Sequence, residues 1–195
     1  MRPCSAADEP RISETLASAF ADDPVMNWFQ PDPTLVPAYF ADVFNKQYLR
    51  KGYAWSEAEG LAAALWLPPG VKAHDPSLPY TARWAVQALK RKGPAFIWQA
   101  WYQKQAFSGK RPLDDWYLHA IGVHARARGQ GFGAKLLGDT LTWIDDQQPA
   151  GAWLENSNPQ NLGLYQRFGF KVVETHDLSP EGPRLWLMRR EPGRR

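Results

Sequence analysis

Residues Trp116 to Gly133 limit what this chain can fold into more than any other stretch does. Trp116 to Val123 is eight residues rich in aromatic and β-branched types and without charge, which predicts a buried strand. A short basic loop with His124, Arg126 and Arg128 follows. Next come Gly129, Gln130, Gly131, Phe132, Gly133 and Ala134, and then helical spacing at Phe132, Leu136, Leu137, Leu141 and Ile144. Three glycines in five residues let the backbone turn sharply and let a ligand approach bare main chain. The first amides of the helix lack internal partners and sit at the positive end of its dipole. Together these features describe a seat for a phosphate-bearing ligand. The alternative, a tight strand-to-helix turn with no ligand, stays open on this stretch alone.

Composition narrows the class. The chain has 195 residues, enough for one domain with a proper core. It is 44% hydrophobic, which argues against disorder. A net charge of +3 is too mild to indicate nucleic acid, although basic residues cluster at 90–92, 124–135 and 189–195. The single cysteine, Cys4, excludes an internal disulfide and fits a reducing compartment. No apolar run approaches the roughly 20 residues of a membrane helix, and the N-terminus lacks a signal-peptide pattern. The expectation is a cytoplasmic protein with no membrane or nucleic-acid partner, monomeric or homodimeric. Ten tryptophans imply a thick aromatic core or a cleft lined with flat side chains.

In chain order, Asp8 and Pro10 start a helix whose apolar face is Ile12, Leu16, Ala19 and Phe20. Any strand before it is short. Residues 21–33 read as a loop with one helical turn, carrying Trp28 and Phe29. A second helix is predicted over 34–51. Residues 53–56 and 61–67 form a hairpin about the turn at 57–60. Residues 70–112 read as a helical insertion with Trp84, Trp98, Trp101 and Tyr102. A strand over 151–155, a helix from Asn158-Pro159 to Phe168, and strands over 170–175 and 184–189 complete the chain. The four histidines show no metal-ligand spacing, and no metal site is indicated.

Two ligands compete for the seat. Gly129-x-Gly131-x-x-Ala134, with Glu155 downstream, satisfies the dinucleotide fingerprint, but there the first glycine follows its strand almost at once, and here five residues separate them. Arg128-x-x-Gly131-x-Gly133 instead resembles the acyl-CoA signature of the GCN5-related N-acetyltransferases, the GNAT family. Asn161-x-x-x-Tyr165-x-x-x-Gly169-Phe170 resembles that family's second signature. The resemblance is strong over 116–190 and weaker over 8–67, and residues 70–112 carry no family signature. Within the family, Trp116, Gly122-Val123, Leu154-Glu155, Asn161-Leu162, Tyr165 and the run Pro180 to Trp186 are similar to puromycin N-acetyltransferases. Leu118-His119 to Val123-His124 is similar to the aralkylamine enzymes.

The resemblance implies a single N-acetyltransferase domain over 1–195. Its fold would be a mixed, mostly antiparallel α/β sheet splayed after the strand at 116–123, with helices on both faces. The implied activity is transfer of an acetyl group from acetyl-CoA to a primary amine by direct attack in a ternary complex, with a small molecule as the expected acceptor and a protein N-terminus left open. Rivals are a dinucleotide-binding oxidoreductase and a non-catalytic CoA-binding module. Residues Gly129 to Ala134 and Arg128 are expected to hold the cofactor pyrophosphate, with Ile121, Gly122 and Val123 along its pantetheine arm and Asn161 and Tyr165 beside it. Tyr165 is the expected acid for the departing thiolate. His119, expected on the side opposite Leu118 and Ala120, and Glu155 are rival bases for the acceptor ammonium. Trp28, Phe29, Trp84 and Trp101 are candidate walls of the acceptor pocket, with a satellite core as the equal alternative.

Overall fold

The computed structural model describes residues 1–73, 76–95, 112–147 and 150–193. Its strands are β1 (Arg2–Pro3), β2 (Tyr53–Glu57), β3 (Ala62–Leu67), β4 (Trp116–Val123), β5 (Ala152–Asn156), β6 (Lys171–Asp177) and β7 (Arg184–Arg190). They form one sheet in the order β1-β2-β3-β4-β5-β7-β6. Every neighbouring pair is antiparallel except β4 and β5.

The helices are α1 (Glu9–Ala19), α2 (Pro24–Phe29), α3 (Val36–Val43), α4 (Leu78–Lys92), α5 (Phe132–Gln147) and α6 (Leu162–Arg167). On one face of the sheet, Ile12, Leu16, Val36, Phe40 and Val43 of α1 and α3 pack on Ala63, Leu65, Leu67, Tyr117, Ala120 and Trp153. On the other, Leu136, Leu137, Leu141 and Ile144 of α5 and Tyr165 of α6 pack on Ala62, Ala64, Trp66, Trp116, Leu118 and Leu154. Because both faces are covered, β3 is buried at all six positions and reads as an unbroken apolar run, not an alternation.

The sheet opens at its centre. Strands β4 and β5 are paired only over Trp116↔Ala152, Tyr117↔Trp153 and Leu118↔Leu154, after which they part. The cause is visible on the other side of β4. Leu65 of β3 faces Ala120 and Trp66 faces Leu118, so His119 is an extra residue, a β-bulge. A bulge bends its strand and increases the local twist, which turns the last part of β4 away from β5.

The predicted helix over 34–51 is continuous but irregular. A 3₁₀ turn (Pro33–Leu35) leads into α3, and a π turn (Phe44–Tyr48) with a final turn (Leu49–Lys51) follows. The π turn lets Phe44, Gln47 and Tyr48 all face the interior, a distortion found often at functional sites. The expected single turn in 21–33 is the six-residue α2. Asp23 caps it, accepting from the Met26 amide at 2.8 Å. The first half of the predicted 70–112 insertion contains α4, whereas Trp98, Trp101 and Tyr102 lie outside the described residues.

Candidate active site

The site is built where β4 and β5 separate. After β4 the chain makes a short 3₁₀ turn, Ala125–Ala127, then passes through Gly129 and Gly131, both with positive φ (77° and 80°), into α5. Side chains rarely adopt that region. A Cβ added at either glycine would meet nothing within 4 Å, so the space in front of the loop is open. The Lys135 amide donates to the Gly131 carbonyl at 2.9 Å, which places the amides of Phe132, Gly133 and Ala134 ahead of the helical ladder.

The loop is fastened to α1. The Ala125 amide donates to Ser18 Oγ at 3.1 Å, and the Arg128 guanidinium donates to the carbonyls of Ser18 (3.0 Å) and Ala19 (3.4 Å). The Arg128 side chain therefore serves the C-terminal end of α1, where carbonyls lack helical partners. The Arg126 side chain is exposed. Bare amides, a helix N-terminus and an exposed guanidinium fit a pyrophosphate. Beyond Leu118, the edge of β4 that carries Ile121, Gly122 and Val123 has no β5 partner among the described residues. That edge fits a ligand arm bearing amides.

In the core on the α5 face of the sheet lies Tyr165, buried, with its ring edge-on to Phe170 at 6.0 Å. Burial first, and then the charge of Asp23, push its phenol well above the ordinary range. It therefore carries its proton at neutral pH. Asn161, one turn earlier, is exposed and makes no capping bond; Asn158 takes that role by accepting from the Gln160 amide at 3.0 Å. Asp23 reaches from α2 to the end of β5, where Ser157 Oγ donates to its carboxylate. Its own carboxyl is pushed up, chiefly by burial.

On the opposite face lie His119 and Glu155. The expectation that His119 opposes both Leu118 and Ala120 fails at the second residue. The bulge breaks the two-residue alternation, so His119 joins Ala120 and Tyr117 on the α1/α3 side. His119 Nε2 is 3.2 Å from the Tyr39 hydroxyl, and its ring centroid is 5.5 Å from Tyr48 and 5.9 Å from Tyr117. Tyr117 donates to Glu155 Oε2 at 2.5 Å. Burial, followed by the Glu155 charge, holds the Tyr117 phenol far above its usual range.

The aromatic candidates fall into two clusters. Phe29 and Trp84 stack at 4.9 Å within a satellite core of Leu35, Tyr80 and Ala88. Trp28 packs against Leu178 and Leu185 at the β6–β7 end of the sheet. Trp101 lies outside the described residues. Sequence reasoning passed over Tyr39, Tyr117, Asp23 and Ser157. Only Asp23-Pro24, a cap followed by proline at the first turn, carried a local signal. The tyrosines sit in apolar stripes that look like ordinary core.

Cys4 is a free, half-buried thiol that burial pushes up to about 11, which disfavours its thiolate form. No helix among the described residues is long and apolar enough to cross a membrane.

Comparison with known proteins agrees with this geometry. The sequence profile of the Acetyltransferase (GNAT) family matches residues 61–170. An uncharacterised N-acetyltransferase of Schizosaccharomyces pombe is 26% identical over 96% of this chain and 81% of its own length. The structure of a Corynebacterium glutamicum protein described as a histone acetyltransferase and related acetyltransferase superposes with a TM-score of 0.68 at 26% identity, covering 100% of this chain and 96% of that one. Arylalkylamine N-acetyltransferase 2 of Aedes aegypti shares the fold with a TM-score of 0.60 at 14% identity, covering 97% of each chain.

Proposed function

The chain belongs to the GNAT acetyltransferase family, enzymes that acetylate amines, and from that premise we propose that its acceptor is a small primary amine, acetylated by direct attack in a ternary complex. One observation supports the reading: β4 and β5 part after Leu118, Tyr165 belongs to the core on the α5 face of the sheet, and His119 and Glu155 lie on the other face. A donor and a basic cluster separated by an opening suit a reaction in which one proton leaves the acceptor and another reaches the leaving group. The membership also displaces the dinucleotide reading of the glycine loop.

Acetyl-CoA, when bound, supplies the acetyl group as a thioester. The residues that would hold it are the amides from Gly129 to Ala134 for the pyrophosphate, Ile121 and Val123 of β4 for the pantetheine arm, and Asn161 beside α6. Tyr165, kept protonated by burial and by Asp23, donates to the leaving sulfur. His119 takes the proton of the acceptor ammonium. Glu155, bonded to Tyr117, supplies negative charge in the same cluster and is the rival base. The Cys4 thiol, whose thiolate form burial disfavours, is a poor candidate for an acyl-enzyme, which is consistent with direct attack.

The placement of α2 supports a small acceptor. Asp23 ties its start to Ser157, Trp28 packs on Leu178 and Leu185, and Lys92 Nζ donates to the Trp28 carbonyl at 2.7 Å. In this reading the fastened segment borders the acceptor side and does not give way to a bulky polypeptide. The same reading places the protein in the cytoplasm, with the acetyl thioester. Free-thiol release measured against a panel of small amines and N-terminal peptides tests it. Release with small amines is expected. Acetyl-CoA binding without release on any acceptor would make the protein a non-catalytic CoA-binding module, and release with peptides alone would exclude a small acceptor.

A further inference from the structure

Resting on the reading of Tyr165 as the acid, we infer that Asp23 and Ser157 are positioning residues whose bond ties α2 to the segment that presents Tyr165. The bond spans 134 positions of chain, and each of its ends is itself fixed. Asp23 caps α2 by accepting from the Met26 amide at 2.8 Å. Its own amide donates to the Phe20 carbonyl at 3.1 Å, and its carbonyl accepts from the Asn27 amide at 2.9 Å. Just upstream, the Ser18 and Ala19 carbonyls accept from the Arg128 guanidinium. Ser157 lies between β5 and the turn into α6. Around it the Asn156 side chain donates to the Asn158 carbonyl at 2.8 Å, and the Asn158 amide donates to Asn156 Oδ1 at 3.3 Å. Asn158 then caps the 3₁₀ turn Pro159–Asn161, which runs directly into α6 and Tyr165. A continuous set of short-range attachments therefore joins the glycine loop, through Arg128, Asp23 and Ser157, to the acid.

The chemistry of the pair suits a latch. An ionised carboxylate only accepts, and the Ser157 hydroxyl supplies the one proton needed, so the bond is charge-assisted. Were Asp23 to take up a proton, acid and hydroxyl would still pair with their roles exchanged, and the tie holds in either state. Burial raises the Asp23 carboxyl while the Ser157 bond lowers it, so the hydroxyl helps to keep a charge at this depth. That charge is, after burial, the second cause that keeps the Tyr165 phenol protonated. Helix α6 needs such a tie. Its six residues are too few to hold a geometry of their own, so its attachments set the angle at which it presents Tyr165. Reacting groups tolerate little error, since a misplacement of about 1 Å can cost about a hundredfold in rate.

The test uses the full chain, with thiol release from acetyl-CoA against phenethylamine, agmatine and spermidine, and amide hydrogen exchange read by mass spectrometry. Ser157→Ala removes the hydroxyl and leaves the Asp23 cap on the Met26 amide in place. Exchange over 24–29 and 162–167 should rise together. The same variant should lower kcat by about five- to fiftyfold, within the reach of such a misplacement, with acetyl-CoA affinity by calorimetry unchanged. Ser157→Thr, which keeps a hydroxyl, should restore the rate. In a Tyr165→Phe background Ser157→Ala should add little further loss, because changes that act through one group are not additive. Unchanged exchange, an unchanged kcat, or an equal loss in both backgrounds would overturn the inference. Weakened acetyl-CoA binding with an unaltered kcat would do the same, since that is the mark of general loosening. A Tyr165→Phe variant that keeps the full rate would instead sink the acid assignment and the inference with it. That failure is told apart by exchange that still rises in Ser157→Ala, whereas a failed latch leaves exchange untouched.

Discussion

At the scale of single residues, the assignments are carried by burial and by a few short hydrogen bonds. Tyr165→Phe removes one proton and keeps the buried ring. Its kcat should fall by about 10²–10⁴, the usual range for one acid–base group, with acetyl-CoA affinity by calorimetry little changed; an unaltered rate removes Tyr165 from the reaction. The base is decided by the pH profile. His119→Ala should displace the acidic limb of the rate profile, and Glu155→Gln should leave that limb in place. The reverse result transfers the role to Glu155. Gly131→Val puts a β-branched residue at a φ of 80° and projects its side chain into the open space before the loop. Acetyl-CoA binding should weaken by about five- to 150-fold, which is what the 1–3 kcal/mol of such backbone strain amounts to when the loop relieves it by leaving its binding conformation. Tight binding in that variant would show that the pyrophosphate lies elsewhere. Of these residues, Gly131 and Tyr165 are readable from spacing. Tyr39 and Tyr117 are not, because a tyrosine on an apolar helix face or in a strand looks the same whether its hydroxyl meets water or a histidine.

At the scale of elements, the site depends on how α1, α5 and β7 are held to the sheet. Gly122 of β4 allows α1 to lie close: a Cβ there would stand 2.4 Å from Ala19 Cβ. Gly122→Val should lift α1 and cost about 1–3 kcal/mol, as overpacking does, read as a lowered denaturation midpoint. It should also loosen the Arg128 contacts with the end of α1. Arg190 of β7 grips Asp145 of α5 with two bonds of 2.6 and 2.8 Å. That grip, the largest cause, lowers the Asp145 carboxyl below the ordinary carboxylate range. A depressed carboxyl stabilises above its unfolded value of about 3.9 and loses that contribution as pH falls through the folded value. The melting temperature should therefore fall less steeply with acid in Asp145→Asn than in the parent. Identical acid limbs would mean that the pair contributes nothing. The helix over 34–51 was legible as a helix, but its π turn was not. Phe44, Gln47 and Tyr48 have no local sequence mark that says the winding widens there; packing against the sheet decides it.

At the scale of the whole molecule, the question is which amine enters. In the proposed reading the acceptor side lies toward α2 and α4, whose rings Phe29 and Trp84 stack with each other in a satellite core while Trp28 packs near the β6–β7 end. Asp75 is the only acid between residues 70 and 112, so this part of the chain offers little charge to a polycation. An arylalkylamine should be acetylated with higher kcat/KM than spermidine. A clear preference for spermidine would reject the apolar acceptor site and point to carboxylates such as Glu155 and Asp23 as the anchors.

The sequence by itself determined the order of elements from Trp116 onward, the glycine-loop seat and the two family signatures, because each depends on neighbours within one or two turns of chain. Local propensity, proline and asparagine at helix starts, and glycine at positive φ act over that range whatever the rest of the molecule does. Only the tertiary structure decided that β4 leaves β5 after Leu118, that a bulge turns His119 toward Tyr39 and Tyr48, and that the Arg128 side chain is used on α1. Those facts arise between residues far apart in the chain. Tyr39 meets His119 across 80 positions, and Ser157 meets Asp23 across 134. A two-residue strand period cannot signal its own interruption, since the bulge comes from how β3 and β4 register against each other, and registry is a property of the assembled sheet.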